Sequence, residues 1–367
     1  MAKKIYFGTN LKMYKGNADV INYLSELSDL SQSLQKSYNA EIFVIPSFTS
    51  LKDAVETINL KHSSIIIGAQ NMNPNDNGQF TGDISPLMLK ELGIRLVMIG
   101  HSERRHIFRE TDEEENAKVL SSLKHGFITL LCIGETAEQK NYGISDEILR
   151  TQLKIALHGV ELMQLDNLWI AYEPVWAIGT GGTPASAEYA DNKHAVIKQC
   201  LFELFGENSK KIPVLYGGSV NPNNANTLIE KPNIDGLFTG RSAWNAKAFS
   251  TLIFDALKTA EQKKIIRSRT GSESFSVNEY TGIARDLLSK LGGVENIGAL
   301  THCATRIRVV PYDPIKVDKI GIDKIDKSKG VFTVAGNQYQ IIFGVGIVEK
   351  VYEEMLNLIS NKSSHNN

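Results

Sequence analysis

Cysteine is scarce in this chain: Cys132, Cys200 and Cys303 are the only 3 among 367 residues. So sparse and odd a set excludes a disulfide framework and points to a reducing compartment. Net charge is also small, −1 at pH 7 from 40 basic and 41 acidic residues. No excess of either sign argues for nucleic acid or an anionic membrane as partner. No run of about 18 apolar residues occurs, so no membrane-spanning helix is expected. The opening MAKKIYFGTN enters a strand-like run directly, without the apolar stretch of a secretory leader. Together these absences give a cytoplasmic expectation. Composition is otherwise ordinary, 42% hydrophobic and 22% charged, and the length suits two domains or one large barrel plus an extra piece.

Strand-like apolar runs recur at Lys4–Phe7, Glu41–Ile45, Ser64–Gly68, Arg95–Ile99, Ile128–Ile133, Leu168–Tyr172, Ile212–Tyr216 and Gly236–Thr239. Amphipathic helical patterns lie between them, clearest at Val20–Leu34, Glu113–Lys124, Glu188–Phe205 and Ala246–Gln262. Alternation of this kind builds parallel βαβ units. Eight units in roughly 250 residues is the count and size of a (β/α)8 TIM barrel. A doubly wound open sheet is the competitor, but it usually has fewer strands. The expected fold class is therefore α/β, a barrel over 1–262.

The pattern breaks after Gln262. Residues 263–275 are basic, then rich in serine and glycine, and read as a linker. A second unit is expected over 276–361, a small α+β sandwich. Tyr280–Leu291 reads as a helix stopped by Gly292 and Gly293. Arg306–Val310 alternates as a half-buried strand does. Gly330–Ala335 and Gln338–Phe343 read as a hairpin, and Val345–Ile359 as a last helix. The polar tail, 362–367, is expected to be disordered.

In a barrel of this kind, reacting groups sit at the C-terminal ends of strands. Asn10 and Lys12 follow the first strand run, and His101, Ser102 and Glu103 the fourth. Glu173 follows the sixth, Gly217, Gly218 and Ser219 the seventh, and Gly240 and Arg241 the eighth. Each has a plain structural explanation alone: a solvated lysine, a satisfied histidine, a strand-ending glutamate, glycine punctuation. Jointly they place a cation, an imidazole and a carboxylate on one rim, facing turns whose amides can hold a phosphate. That set suits proton abstraction beside a carbonyl in a phosphate-anchored substrate.

The segments NLKMYK, GHSERR, LLCIGE, AYEPVWAIGTG and YGGSV resemble the signature stretches of triosephosphate isomerase, from Met1 to about Gln262. That resemblance implies a glycolytic homodimer interconverting dihydroxyacetone phosphate and glyceraldehyde phosphate, with no metal and no cofactor. It implies Glu173 as base, His101 as neutral electrophile and Lys12 as electrostatic partner of an enediolate, with Asn10 adding a hydrogen bond and Glu103 positioning Lys12. It implies a lid over Pro174–Thr183 whose Gly179 N–H meets phosphate, together with Ser219 and the amides near Gly240 and Arg241. The stretch Asn71–Asp83 resembles the family's dimerising loop. Three positions depart: Leu11 stands where tryptophan is usual, Gly182 where lysine is common, and Arg241 where a second glycine is frequent.

In the second unit, Cys303 precedes a strand, and Arg306 and Arg308, two apart, share one face of it. Cationic neighbours and the open amides near Ala304 and Thr305 lower a thiol's pKa and can hold a phosphate. The plain alternative is a structural cysteine beside solvated arginines. GGVENI, LTHCATRIRV and the later KGVFTVAGNQYQIIFG resemble enzyme IIB of the sugar phosphotransferase system, in the glucose, sucrose and β-glucoside group. This implies a phosphocysteine at Cys303, a IIA-type phosphodonor and a membrane IIC protein as partners. His302 before the cysteine resembles the sucrose and β-glucoside branch. The other reading is a regulatory module that senses phosphorelay state without passing phosphate on.

Overall fold

The structure is a computed structural model that describes residues 4–179, 182–269, 279–303, 305–334, 337–344 and 346–363. The chain divides into two compact units, Met1–Ile266 and Arg267–Asn367. The first is a closed barrel of eight parallel strands: β1 (Ile5–Asn10), β2 (Ala40–Ile45), β3 (Ile66–Ala69), β4 (Leu96–Ile99), β5 (Ile128–Ile133), β6 (Leu168–Tyr172), β7 (Val214–Tyr216) and β8 (Gly236–Thr239). Each pairs with the next in sequence, and β1 closes on β8 through Tyr6–Thr9 against Gly236–Thr239.

The apolar runs are nearly continuous because both faces of each strand are covered. Phe43, Leu96, Met98, Leu130, Trp169 and Phe238 fill the barrel interior. Their neighbours Ile42, Val44, Val97, Leu131 and Ile170 face outward into the helix layer. Alternation along each strand thus separates two cores.

All eight strands expected from the sequence are present, with shifts of a few residues at their ends. The largest shift matters for the site. β1 continues to Asn10, because Gly8, Thr9 and Asn10 stay in register with Phe43, Val44 and Ile45. Asn10 is therefore the last strand residue. Gly8 is required there, since a Cβ on it would fall 1.9 Å from the Phe43 ring inside the barrel.

The second unit has a four-stranded antiparallel sheet, ordered β11 (Val331–Val334), β12 (Gln338–Ile342), β10 (Arg306–Pro311), β9 (Ile297–His302). Helices Glu279–Lys290 and Val348–Ser363 supply Leu287, Val351 and Met355 to a core with Leu291, Ile307, Val309, Ile341 and Phe343. β9 and the short helix Lys319–Asp323 have no counterpart in the sequence reading, because IGALTH carries too little apolar periodicity to mark a strand.

Two further differences are corrections. The helix begun at Ala246 runs to Arg269, into the segment read as linker; KKIIRSR has helix-forming residues and no glycine or proline to stop it. The remainder of that segment, with the expected start of the second unit at 276, lies outside the described residues. The last helix starts at Val348, after Gly344 and Gly346 at φ 99° and 80°, and extends to Ser363, past the expected start of the tail. Residues 364–367 lie outside the described residues. Among the described residues no helix is long and apolar enough to cross a membrane.

Candidate active site

The C-terminal rim of the barrel brings together the barrel residues expected to react with or bind a substrate. A cleft of about 250 Å³ is lined by Asn10, Lys12, His101, Glu103, Glu173, Gly179, Gly217, Gly218, Ser219, Gly240 and Arg241. Tyr14, Ile178, Val220, Phe238 and Trp244 are also in its walls.

Glu173 follows β6 and is 3% exposed. Its Oε1 lies 3.5 Å from His101 Nε2, and its Oε2 accepts the Ser102 N–H at 3.3 Å. The glutamate fits because two glycines leave room for it. A Cβ on Gly134 would lie 1.9 Å from the Glu173 carbonyl oxygen, and one on Gly217 2.9 Å from its Cγ. His101 caps the short helix Ser102–His106, and its Nδ1 accepts the Glu103 N–H at 3.2 Å. An accepting Nδ1 places the imidazole proton on Nε2, facing the cleft and Glu173. Its Nε2 is thus the ring nitrogen turned to Glu173.

Lys12 occupies the left-handed backbone region at φ 51°. Its N–H donates to Asn10 Oδ1 at 2.8 Å, and Gln70 Nε2 donates to its carbonyl at 2.8 Å. Such a conformation persists only where surrounding contacts over-determine it. Its Nζ meets Glu103 Oε1 at 2.7 Å. Leu11, in place of the usual tryptophan, is buried in the outer core. Arg241 is exposed. Gly182 has no room for the lysine common at its position: a Cβ there would lie 2.6 Å from the Ala177 carbonyl carbon. Thr180 and Gly181 lie outside the described residues.

Several residues of the site had no role in the sequence reading. Glu135, fully buried at the end of LLCIGE, accepts from Trp176 Nε1 at 2.8 Å, Tyr189 OH at 2.8 Å and Tyr172 OH at 3.0 Å. It ties the start of the expected lid to the barrel. Gln70 and Trp244 escaped as well, since neither belongs to a signature stretch. The expected loop Asn71–Asp83 is folded on itself through Asn73 N–H to Ile84 O and Asp83 N–H to Phe80 O. Asn71 anchors its base, donating to Glu110 Oε1 at 2.9 Å and accepting from Lys118 Nζ at 3.2 Å. Beneath it, Arg104 and Lys118 both pair with Glu110. Burial alone would raise the Glu110 carboxyl, but these cations hold it down at about 2. Glu115 is fully buried, and neither carboxyl oxygen has a hydrogen-bond partner among the described residues. Burial, reinforced by Glu110, pushes it up to about 7 against the pull of Arg105 and Lys118.

In the second unit Cys303 sits in the turn between β9 and β10, where its N–H donates to Arg306 O at 2.9 Å. The thiol is held below its ordinary value, first by the Thr305 amide, then by the Arg306 amide, the Arg308 charge and the Thr305 hydroxyl. Arg306 and Arg308 share the open face of β10, alternating with buried Ile307 and Val309. Arg306 donates to Gln340 at 2.9 Å, while the buried Arg308 Nε has no partner among the described residues. His302 packs on the Tyr352 ring, 4.4 Å between centroids. Ala304 lies outside the described residues.

A closed eight-stranded parallel barrel with ionisable residues gathered at its C-terminal rim belongs to the (β/α)8 class of enzymes. Residues 5–256 match the triosephosphate isomerase family, and residues 285–318 match phosphotransferase system, EIIB. The chain belongs to the triosephosphate isomerase family and carries an EIIB domain C-terminal to its barrel in sequence. It is 43% identical over 250 residues to the L-erythrulose-1-phosphate isomerase of Rhizobium etli, covering 68% of this chain and 91% of that protein. It is likewise 43% identical over 249 residues to the L-erythrulose-1-phosphate isomerase of Mesorhizobium japonicum, covering 68% and 95%. The crystal structure of triosephosphate isomerase from Bartonella henselae superposes with a TM-score of 0.61 at 32% identity, covering 69% of this chain and 99% of that one.

Proposed function

We propose that the barrel isomerises a short phosphorylated hydroxy-ketone by proton transfer, with dihydroxyacetone phosphate and glyceraldehyde phosphate as the smallest such pair. The supporting observation is the pairing of Glu173 Oε1 with His101 Nε2 at 3.5 Å inside a cleft that also holds Lys12. Glu173 takes a proton from the carbon beside the carbonyl and returns it to the neighbouring carbon. His101, neutral with its proton on Nε2, polarises the carbonyl and moves protons between the two oxygens. Lys12, placed by Glu103, offsets the enediolate charge, and Asn10 adds a hydrogen bond. The amides of Gly179, Ser219, Gly240 and Arg241 hold the phosphate. Glu173→Gln is expected to lower kcat by at least about 10²-fold, as loss of a general base does. A variant with unchanged turnover would sink the assignment.

A second substrate is favoured by the relatives named for L-erythrulose 1-phosphate. That ketone is dihydroxyacetone phosphate with a hydroxymethyl group replacing one hydrogen on the reacting carbon. The same base, electrophile and phosphate grip serve both. Side-by-side kcat/KM values for the two ketones decide which is the substrate.

For the second unit, the same reading makes Cys303 a phosphocarrier. Its thiolate attacks a phosphohistidine of a IIA-type donor, the histidine leaves, and the thiophosphate ester passes its phosphoryl group to a sugar held by a membrane IIC protein. Labelled phosphoenolpyruvate with enzyme I, HPr, IIA and IIC tests it. Label that moves through Cys303 to sugar supports a carrier. Label that stays on Cys303 and changes the isomerase rate supports a sensor.

A further inference from the structure

The loop after β8 is pinned to the start of the barrel by two hydrogen bonds that no signature stretch accounts for. Tyr23, 4% exposed on helix Asn17–Ser37, donates its hydroxyl to Ala243 O at 2.7 Å. The next residue, Trp244, donates its indole N–H to Asn10 O at 2.9 Å. Asn10 then accepts the Lys12 N–H on its side chain, and Gln70 takes the Lys12 carbonyl. The chain of contacts therefore ends on Lys12, which lines the cleft and whose backbone is in the left-handed region. Trp244 also faces the cleft and packs its ring against Tyr14, 4.5 Å between centroids and tilted by 37°. Leu11, where a tryptophan is usual, turns into the outer core, so the indole beside Asn10 comes from the far end of the barrel instead.

We infer that Trp244 is a positioning residue of the isomerase site: its indole N–H fixes the Asn10 carbonyl and thereby sets the Lys12 ammonium over the reacting carbon. The inference rests on the reading of Lys12 as the electrostatic partner of the enediolate. Trp244 takes no part in the proton transfers. It acts through the strand-end backbone, and it couples that strand end to the loop carrying Gly240 and Arg241. Removing the indole N–H leaves the Asn10 carbonyl short of a donor, so the strained turn at Lys12 loses one of its restraints.

The test compares two inhibitors on the full chain. Phosphoglycolohydroxamate carries a phosphate and a planar anionic group that imitates the enediolate, whereas inorganic phosphate occupies the phosphate grip alone. Trp244→Phe keeps a ring against Tyr14 and loses the donor. It is expected to weaken the hydroxamate roughly tenfold and lower kcat by a similar factor, the scale of one lost hydrogen bond. Inorganic phosphate and KM should change less than about twofold. Equal weakening of both inhibitors means a general loosening of the cleft and overturns the inference; so does unchanged hydroxamate affinity. Lys12→Ala is the reference. If it leaves hydroxamate affinity intact, the reading of Lys12 fails rather than the role of Trp244. Trp244→Leu gives the same comparison should the phenylalanine variant not fold.

Discussion

Glu173 reaches His101 only because its neighbours lack side chains. The Cβ of an alanine at 134 would sit 1.9 Å from the Glu173 backbone, with no flexible atom to give way. Gly134→Ala is therefore expected to cost about 1–3 kcal/mol of stability by overpacking and to lower kcat sharply as Glu173 is displaced. Urea melts and steady-state kinetics measure the two effects. The three cysteines differ just as clearly. Cys132 is fully buried and burial pushes its thiol well up; Cys200 is buried and raised for the same reason. Cys303, facing the Thr305 and Arg306 amides, is held down. Limiting iodoacetamide at neutral pH should label Cys303 first, and mass spectrometry of the peptides reads the order. Preferential labelling of Cys200 would count against the amide-stabilised thiolate.

Helix Asp112–Lys124 is a separate pH-sensitive element. Its N-terminus is capped in both directions by Thr111 and Glu114, so its first turn is fixed under the loop base at Asn71. Glu115 on this helix keeps its proton in the fold up to about pH 7, whereas an ordinary carboxyl loses it near 4.5. The folded state binds that proton more tightly, so stability falls as pH rises from 4.5 to about 7 and is level above. Glu110 acts in the opposite sense: its contribution is present above 4.5 and is lost as pH falls toward 2. Glu115→Gln should flatten the decline between pH 4.5 and about 7 in thermal melts, while Arg104→Ala should not. This carboxyl was invisible in the sequence, where EEEN reads as a solvated acidic first turn. By contrast the barrel strands were legible, because helices on the outside and a filled interior make each one an uninterrupted apolar run. β9 was not, since its residues are mostly exposed and none is fully buried.

At the scale of the molecule, assembly and independence of the two units are open to direct measurement. Met13 and Tyr14 are 94% and 67% exposed, and Phe80 on the expected loop is 46% exposed. Apolar side chains so placed suit the proposal that the barrel pairs with a second copy through Asn71–Asp83. Light scattering at micromolar concentration should give a dimer, and shortening that loop should give a monomer. Among the described residues the apolar cores are separate: the barrel interior and the layer between strands and helices belong to the first unit, and the cluster under the antiparallel sheet to the second. A chain ending at Arg269 is accordingly expected to keep its isomerase kcat and KM within about twofold. A large drop would mean that the second unit supports the first.

The sequence by itself determined the eight βα units, the residues at the strand ends and the change of architecture beyond the barrel. Hydrophobic period and strand-end position are local properties, and they survive without knowledge of the fold. Only the tertiary structure decided which nitrogen of His101 faces Glu173, what restrains Lys12, why Gly134 and Gly182 are glycine, and how Glu115 comes to be buried. Each of those depends on atoms from strands or helices far apart in the chain. A carboxyl's proton affinity or a lysine's backbone angle is set by such neighbours, not by its own segment.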